Sequence, residues 1–118
     1  MLDKEAKKMA EPFVKAVVDC IADKRYGELP EYADFEDGLS LELFKELVEG
    51  FLKINELPYY DGFEYCHLQV YIYNDGTGFA VDYDFTTDNE LNDLTLQMDF
   101  RFTESDKMKI SITDAHVL

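Results

Sequence analysis

Three polar residues in the second half of the chain are candidates for chemistry. Asp114 and His116 lie two residues apart in the last predicted strand, and Tyr83 belongs to an earlier strand. Strand alternation predicts that all three side chains lie on the face covered by the helices. A carboxylate and an imidazole there could act as a base and its orienting partner in a pocket. Alternatively, the last strand bulges or frays near Thr113, and Asp114 and His116 face water.

The opposite face of the predicted sheet carries residues that are common in protein interfaces. They are Tyr65, Tyr71, Tyr73 and Arg101. Tyr and Arg are enriched at the residues that dominate binding energy. This face is either an ordinary solvated surface with polar cross-strand pairs or an interface, for example a homodimer with two sheets packed face to face.

A run of acids could suggest calcium: Asp82, Asp84, Asp88, Glu90 and Asp93. Counted from Asp88, an EF-hand loop needs Gly at position 93 and Glu at position 99, and both positions hold Asp. The sequence also lacks a glycine-rich phosphate loop and paired Cys-x-x-Cys, and it has 2 histidines. We therefore expect a solvated acidic loop, with no metal and no cofactor.

The charge of the chain restricts its partners. The formal net charge is −15, and the acids are spread over both halves of the chain. Such a surface repels phosphate backbones and anionic lipid, so we expect neither nucleic-acid nor membrane binding. A basic protein is the more plausible partner. The N-terminus has no apolar leader, and Cys20 and Cys66 fit buried reduced thiols, which together predict a cytoplasmic protein.

Alternating apolar residues predict four strands, over residues 64–73, 78–86, 92–102 and 108–117. Asp75-Gly76 predicts a type I′ turn between the first two strands, with Leu68 opposite Tyr83 and Cys66 opposite Phe85. If the second and third strands pair Phe85 with Leu94, Tyr83 lies in the same cross-sheet row as Asp114. The predicted pairs of the last two strands are Phe102 with Met108, Met98 with Ile112, Leu96 with Asp114, and Leu94 with His116.

Two helices are predicted, over residues 3–24 and 41–55. Pro12 either kinks the first helix or marks a start near Glu11. Ser40 is the expected N-cap of the second helix, and Asn55 is expected to close it in the left-handed conformation. Residues 26–38 are acidic and rich in aromatic rings, which fits a connecting segment or a mobile acidic flap that recognises a partner.

The predicted sheet is apolar on one face only, and the helices are the elements available to cover it. We therefore expect one α+β domain over residues 1–118. Two main N-terminal helices would pack on one face of a four-stranded antiparallel meander.

Short motifs add a resemblance to known proteins. The stretches Leu39–Glu42, Asp93–Gln97 and Ile112–Leu118 resemble a family of small bacterial domains of unknown function. Lys24–Leu29 resembles the exit of the first helix in cystatin-like and nuclear-transport-factor-two-like domains. The resemblance implies a bacterial origin, a cystatin-like architecture and no known activity.

These observations favour a non-catalytic acidic binding domain. One concrete form is an immunity-type antagonist of a basic toxin, since opposite charge speeds such an encounter. One alternative is a small-ligand-binding or weakly enzymatic cystatin-like pocket at Tyr83, Asp114 and His116. Another is a homodimer through the face that carries the tyrosines.

Overall fold

The computed structural model describes residues 1–105 and 107–117. The elements in chain order are α1 (Asp3–Ala22), β1 (Asp34–Phe35), α2 (Leu41–Ile54), β2 (Leu68–Ile72), β3 (Gly78–Thr87), β4 (Glu90–Phe102) and β5 (Met108–Val117). Short 3₁₀ turns cover Tyr26–Glu31 and Tyr65–His67. The strands form one sheet in the order β1-β5-β4-β3-β2.

The α+β class and the mostly antiparallel sheet are confirmed, but the strand count is wrong. β2 to β5 pair in sequence order as antiparallel neighbours. β1 adds a fifth strand, parallel to β5, with Asp34 opposite Ser111 and Phe35 opposite Ile112. A strand of two residues is too short to produce an alternating pattern, so the sequence could not reveal it.

Both helices form close to their predicted bounds. α1 runs from Asp3 to Ala22 with Pro12 inside it, so the alternative start near Glu11 is wrong. Ser40 caps α2 as predicted, because its Oγ accepts a hydrogen bond of 3.0 Å from the amide of Leu43. Asn55 is not left-handed, since that conformation falls on Glu56 (φ 57°).

The hairpin between β2 and β3 has the predicted register but a different turn. Leu68 lies opposite Tyr83, and Ile72 lies opposite Phe79. A type I′ turn needs positive φ at both central residues, and Gly76 has it (φ 74°) whereas Asp75 does not. The Asp75 carboxylate instead accepts hydrogen bonds from the amide and hydroxyl of Thr77.

The first predicted strand begins later than expected. Its first residues form the 3₁₀ turn Tyr65–His67, and this turn rotates Cys66 into an exposed position. The predicted pair of Cys66 with Phe85 and the predicted burial of Cys66 are therefore wrong. The ring of Tyr60 packs on Phe85 instead, with 4.8 Å between ring centroids. Cys20 is buried as predicted.

The register between β4 and β5 changes at a β-bulge. Met98 lies opposite Ile112 as predicted, but Gln97 lies opposite Asp114 and Leu96 lies opposite Ala115. Thr113 is the extra residue. The predicted pairs of Leu96 with Asp114 and of Leu94 with His116 are wrong by one residue, because alternation carries no signal for a single inserted position.

One hydrophobic core joins both helices to the apolar face of the sheet, which we call the inner face. Fully buried residues include Val14 and Val17 of α1, Phe44 and Val48 of α2, and Val81 of β3. In β2, β3 and most of β4, the side chains that were predicted to face the helices therefore do so. No helix within residues 1–105 and 107–117 is both long enough and apolar enough to cross a membrane.

Candidate functional site

The structure does not bring Tyr83, Asp114 and His116 together. Tyr83 lies on the inner face and is 1% exposed. Because of the bulge at Thr113, Asp114 lies opposite Gln97 in β4, and His116 lies opposite Thr95, so each shares a cross-strand row with that residue. These rows belong to the other face of the sheet, which we call the outer face. The predicted placement of both residues under the helices is therefore wrong, and the predicted alternative of a bulge near Thr113 is what the strand contains.

Tyr83 has a structural environment. Its hydroxyl accepts a hydrogen bond of 2.8 Å from the amide of Glu64, and its ring stacks on Phe63 with 5.4 Å between centroids. Burial raises the pKa of Tyr83 to about 12. A phenol held neutral in this way anchors the segment before β2, and it is a poor proton acceptor at neutral pH.

Asp114 and His116 lie side by side near the end of β5. The Asp114 Oδ2 atom is 3.5 Å from His116 Nδ1, and this buried nitrogen has no hydrogen-bond partner among the residues that the structure describes. That separation suits an ion pair if the imidazole is protonated, but the geometry is not that of a hydrogen bond. The other carboxylate oxygen accepts from the amide of Ala115 at 2.8 Å.

Two of the predicted interface residues, Tyr73 and Arg101, belong to a polar cluster on the outer face. The Tyr73 hydroxyl donates to Asp99 at 2.5 Å, and Arg101 Nε donates to the same carboxylate at 3.1 Å. The Arg101 guanidinium also lies 4.4 Å from the centroid of the Tyr73 ring. Burial and the Asp99 hydrogen bond raise the pKa of Tyr73 to about 12. These contacts hold the side chains of Tyr73 and Arg101 in place.

The other two predicted interface tyrosines, Tyr65 and Tyr71, do not belong to this cluster. Tyr71 is 51% exposed on β2, and its hydroxyl donates to Gln69 at 2.9 Å. Tyr65 lies in the 3₁₀ turn rather than in a strand, and the Lys7 ammonium is 5.3 Å from its ring centroid. A homodimer through this face stays a prediction, with Tyr71 as its exposed ring.

The outer face carries a depression with acidic walls, which we call the acidic groove. It consists of two adjoining cavities of about 530 and 230 Å³, and Glu36, Asp99, Arg101 and Thr113 line both of them. The charged lining residues are the acids Asp34, Glu36, Asp37, Asp82 and Asp99 and the bases Arg101 and Lys109. Because Arg101 is paired with Asp99, negative charge dominates the groove.

β1 and the residues after it build one wall of this groove. The amide of Glu36 donates to the carbonyl of Ile112 at 3.0 Å, which holds the acidic segment against the edge of β5. The composition of residues 26–38 pointed to a connecting segment or to an acidic flap that recognises a partner. The structure places its last acids beside the polar cluster of β4, which no local pattern could indicate.

The acid run that could suggest calcium is distributed over separate contacts. Asp82 accepts from Gln97, Asp84 accepts from Thr95, and Asp88 accepts from the hydroxyl of Tyr59. In the part of the chain that the structure describes, no three His, Cys, Asp or Glu side chains are grouped to hold a metal ion.

Comparison with known proteins assigns most of the chain to a family. A protein-family model described as "Domain of unknown function (DUF7668)" matches residues 18–118. No curated protein and no solved structure matches the chain. The cystatin-like architecture and the bacterial origin therefore stay predictions. The match covers all five strands, α2 and the end of α1, and the chain belongs to the DUF7668 family of domains of unknown function.

Proposed function

We propose that this protein is a non-catalytic binding domain that holds a basic segment of another protein in the acidic groove. The observation that carries the proposal is the groove itself. Five acids and two bases line a depression on the outer face, and one of the bases is already paired with Asp99. A Lys- or Arg-rich segment would meet the carboxylates of Asp34, Glu36 and Asp37 along one wall and the carboxylate of Asp82 on β3.

The Tyr73–Asp99–Arg101 cluster supports a binding function because it is prearranged. Arg101 also donates to Thr77 at 3.0 Å, so its side chain is held by both β4 and the hairpin. Side chains that are ordered in the free protein lose little conformational entropy on association. Arg101 stacks on the ring of Tyr73, and the two side chains together form a rigid part of the groove lining.

The charge of the whole molecule adds to the effect of the groove. A net charge of −15 attracts a cationic partner over long range and speeds the encounter. A concrete form of this function is the neutralisation of a basic toxin by an immunity-type antagonist. Tyr83 lies on the inner face, away from Asp114 and His116 on the outer face, and this separation favours binding over catalysis.

A titration with a cationic probe tests the proposal. We expect fluorescein-labelled octalysine to bind the wild-type protein at 50 mM NaCl and to bind at least tenfold more weakly at 300 mM, because salt screens exposed charges. The double variant Glu36→Gln/Asp37→Asn removes two charges from the groove wall. It should weaken binding at 50 mM at least fivefold.

A matched variant separates the groove from the general charge. Glu90 and Glu104 are exposed acids outside the groove, so Glu90→Gln/Glu104→Gln removes the same charge elsewhere. We expect this variant to weaken octalysine binding less than twofold. The proposal is refuted if the two double variants lose the same affinity for octalysine or if the affinity of the wild type does not change with salt concentration. It is also refuted if octalysine does not bind the wild type.

A further inference from the structure

A second depression lies at the far end of the sheet, between α2 and β5, and we call it the α2–β5 groove. It has a volume of about 680 Å³, and its apolar lining includes Leu47, Phe51, Ile54, Leu94, Ala115 and Val117. Ile54 is 83% exposed, Val117 54% and Leu47 37%. Large apolar side chains exposed together beside one groove are typical of an interaction site.

The sheet covers only part of the apolar side of α2. Phe44, Val48 and Phe51 are buried in the core, whereas Leu43, Leu47 and Ile54 follow one another at helical spacing along an exposed stripe. Residues four and seven positions apart lie on the same helix face. The exposed stripe thus continues the buried face of α2 past the edge of the sheet.

The last residues of β5 lie beside this groove. β1 pairs with β5 at Ser111 and Ile112. Among residues 1–105 and 107–117, no strand lies against positions 113–117 on the side away from β4. These five residues extend for about 17 Å. An open edge of this length can accept an extended segment through backbone hydrogen bonds.

The alternation of β5 defines what such a segment must carry. Ala115 belongs to an inner-face row and Asp114 to an outer-face row. Side chains of an added strand would alternate in the same way. One set would pack under the overhanging stripe of Leu47 and Ile54, and the other set would lie beside Asp114.

The charges around the groove indicate whether its partner is positively or negatively charged. The groove's titratable lining residues are the acids Glu46, Asp93 and Asp114 and the histidine His116, and no Lys or Arg among the described residues lines it. A second copy of this chain would bring a further net charge of −15. Like charges oppose that association, whereas a cationic segment complements the rim.

We propose that the α2–β5 groove binds an extended segment of a basic protein in which apolar residues alternate with Lys or Arg, and that this segment adds as a strand to β5. The apolar residues pack against α2, and the cations lie beside Asp114. This surface is separate from the acidic groove, and its occupation does not depend on that groove.

The probe is a fluorescein-labelled octapeptide, acetyl-(Lys-Val)₄-amide, titrated at 150 mM NaCl. We expect it to bind the wild-type protein and to bind Ile54→Glu at least tenfold more weakly. This substitution adds a negative charge at an exposed position, so a purely electrostatic contact would become stronger instead. Tyr71→Glu places the same charge on β2, at the opposite edge of the sheet, and should weaken binding less than twofold.

Two further peptides test strand addition. One carries N-methyl groups on every Val amide and the other on every Lys amide, and we expect at least one of them to lose tenfold in affinity because its edge amides are blocked. The proposal is overturned if the parent peptide fails to bind, if both methylated peptides bind like the parent, or if Ile54→Glu binds as well as wild type. A concentration-dependent dimer that Ile54→Glu abolishes would assign the groove to a second copy and overturn it too. Glu36→Gln/Asp37→Asn should change binding of this peptide less than twofold, which separates this outcome from the octalysine test.

Discussion

Ala115 lies opposite Leu96, where uninterrupted alternation would place Asp114. This one-residue change, caused by the bulge at Thr113, moves Asp114 and His116 from the helix-covered face to the outer face. It separates them from Tyr83, so the predicted pocket of these three residues does not form. It also leaves an acidic side chain beside the open edge of β5, where the α2–β5 groove begins.

Two glycines should respond to alanine in opposite directions. Gly78 has φ 153°, and a Cβ there would lie 1.9 Å from the carbonyl oxygen of Phe100. Gly78→Ala should therefore lower the free energy of unfolding by about 2–3 kcal/mol. Gly50 lies inside α2, and a Cβ there meets no atom within 4 Å. Gly50→Ala should raise stability by about 0.5–1 kcal/mol.

Urea denaturation of both glycine variants checks this prediction. The hairpin account fails if Gly78→Ala is as stable as wild type. The description of α2 fails if Gly50→Ala destabilises the protein.

Asp19 should make stability depend on acidic pH. Its carboxylate is 2.7 Å from the Lys15 ammonium and accepts a 3.0 Å hydrogen bond from the amide of Phe63. Partial burial acts to raise the pKa of Asp19, but the Lys15 and Phe63 hydrogen bonds outweigh it and lower the pKa below 3.8. The stabilisation is therefore present above pH 3.8 and is lost as the pH falls through the lower, folded-state pKa.

Asp19→Asn should cost about 1 kcal/mol at pH 7, a value reduced by the solvent exposure of the pair. The difference from wild type should shrink below pH 3.8. Urea denaturation at pH 7, 5 and 3 measures it, with Glu104→Gln as the control for removing one exposed acid. A difference that stays constant down to pH 3 would contradict the role given to the Asp19 charge.

Tyr73 should make the stability of the protein depend on alkaline pH. Its pKa is raised from 10.0 to about 12 by burial and by the hydrogen bond to Asp99. The stabilisation is full below pH 10 and is lost as the pH rises through about 12. Tyr73→Phe should lower stability by about 1 kcal/mol at pH 7, and the gap from wild type should narrow between pH 10 and 12. Chemical denaturation across this range provides the test, and a gap that widens instead would be the wrong sign.

The two cysteines should differ in reactivity. Cys66 is exposed in the 3₁₀ turn before β2, whereas Cys20 is buried in the core, and burial raises the pKa of the Cys20 thiol. Because the thiolate is the reactive form, a disulfide reagent such as DTNB should modify one thiol quickly in the native protein. The second should react only on unfolding. Cys66→Ser should remove the fast phase and Cys20→Ser should leave it, and the reverse pattern would contradict the placement of the turn.

Periodicity predicted much of this fold. The α-helices, the order of β2 to β5 and the pair of Leu68 with Tyr83 all follow from apolar spacing, because one buried face fixes the register. Periodicity failed where a single residue changes the phase. The bulge at Thr113 inserts one residue into β5, and the 3₁₀ turn at Cys66 replaces the start of a strand, and an alternating pattern registers neither change.

The candidate sites were harder to predict than the fold. The acidity of residues 26–38 was visible in the sequence, but the pairing of Phe35 with Ile112 joins positions far apart in the chain. Leu43 and Leu47 of α2 follow the same apolar spacing as the buried residues of this helix. This spacing predicts that Leu47 is buried in the core. The structure shows Leu47 partly exposed, because the sheet is too narrow to cover this side of α2.

The most direct test of the acidic groove is a titration of ¹⁵N-labelled protein with octalysine, followed by amide chemical shifts at 50 mM NaCl. The account predicts that the largest shifts fall on Glu36, Asp37, Asp99 and Lys109, and that 300 mM NaCl reverses them. Shifts spread evenly over exposed acids such as Glu90 and Glu104, or no shifts at all, would contradict it.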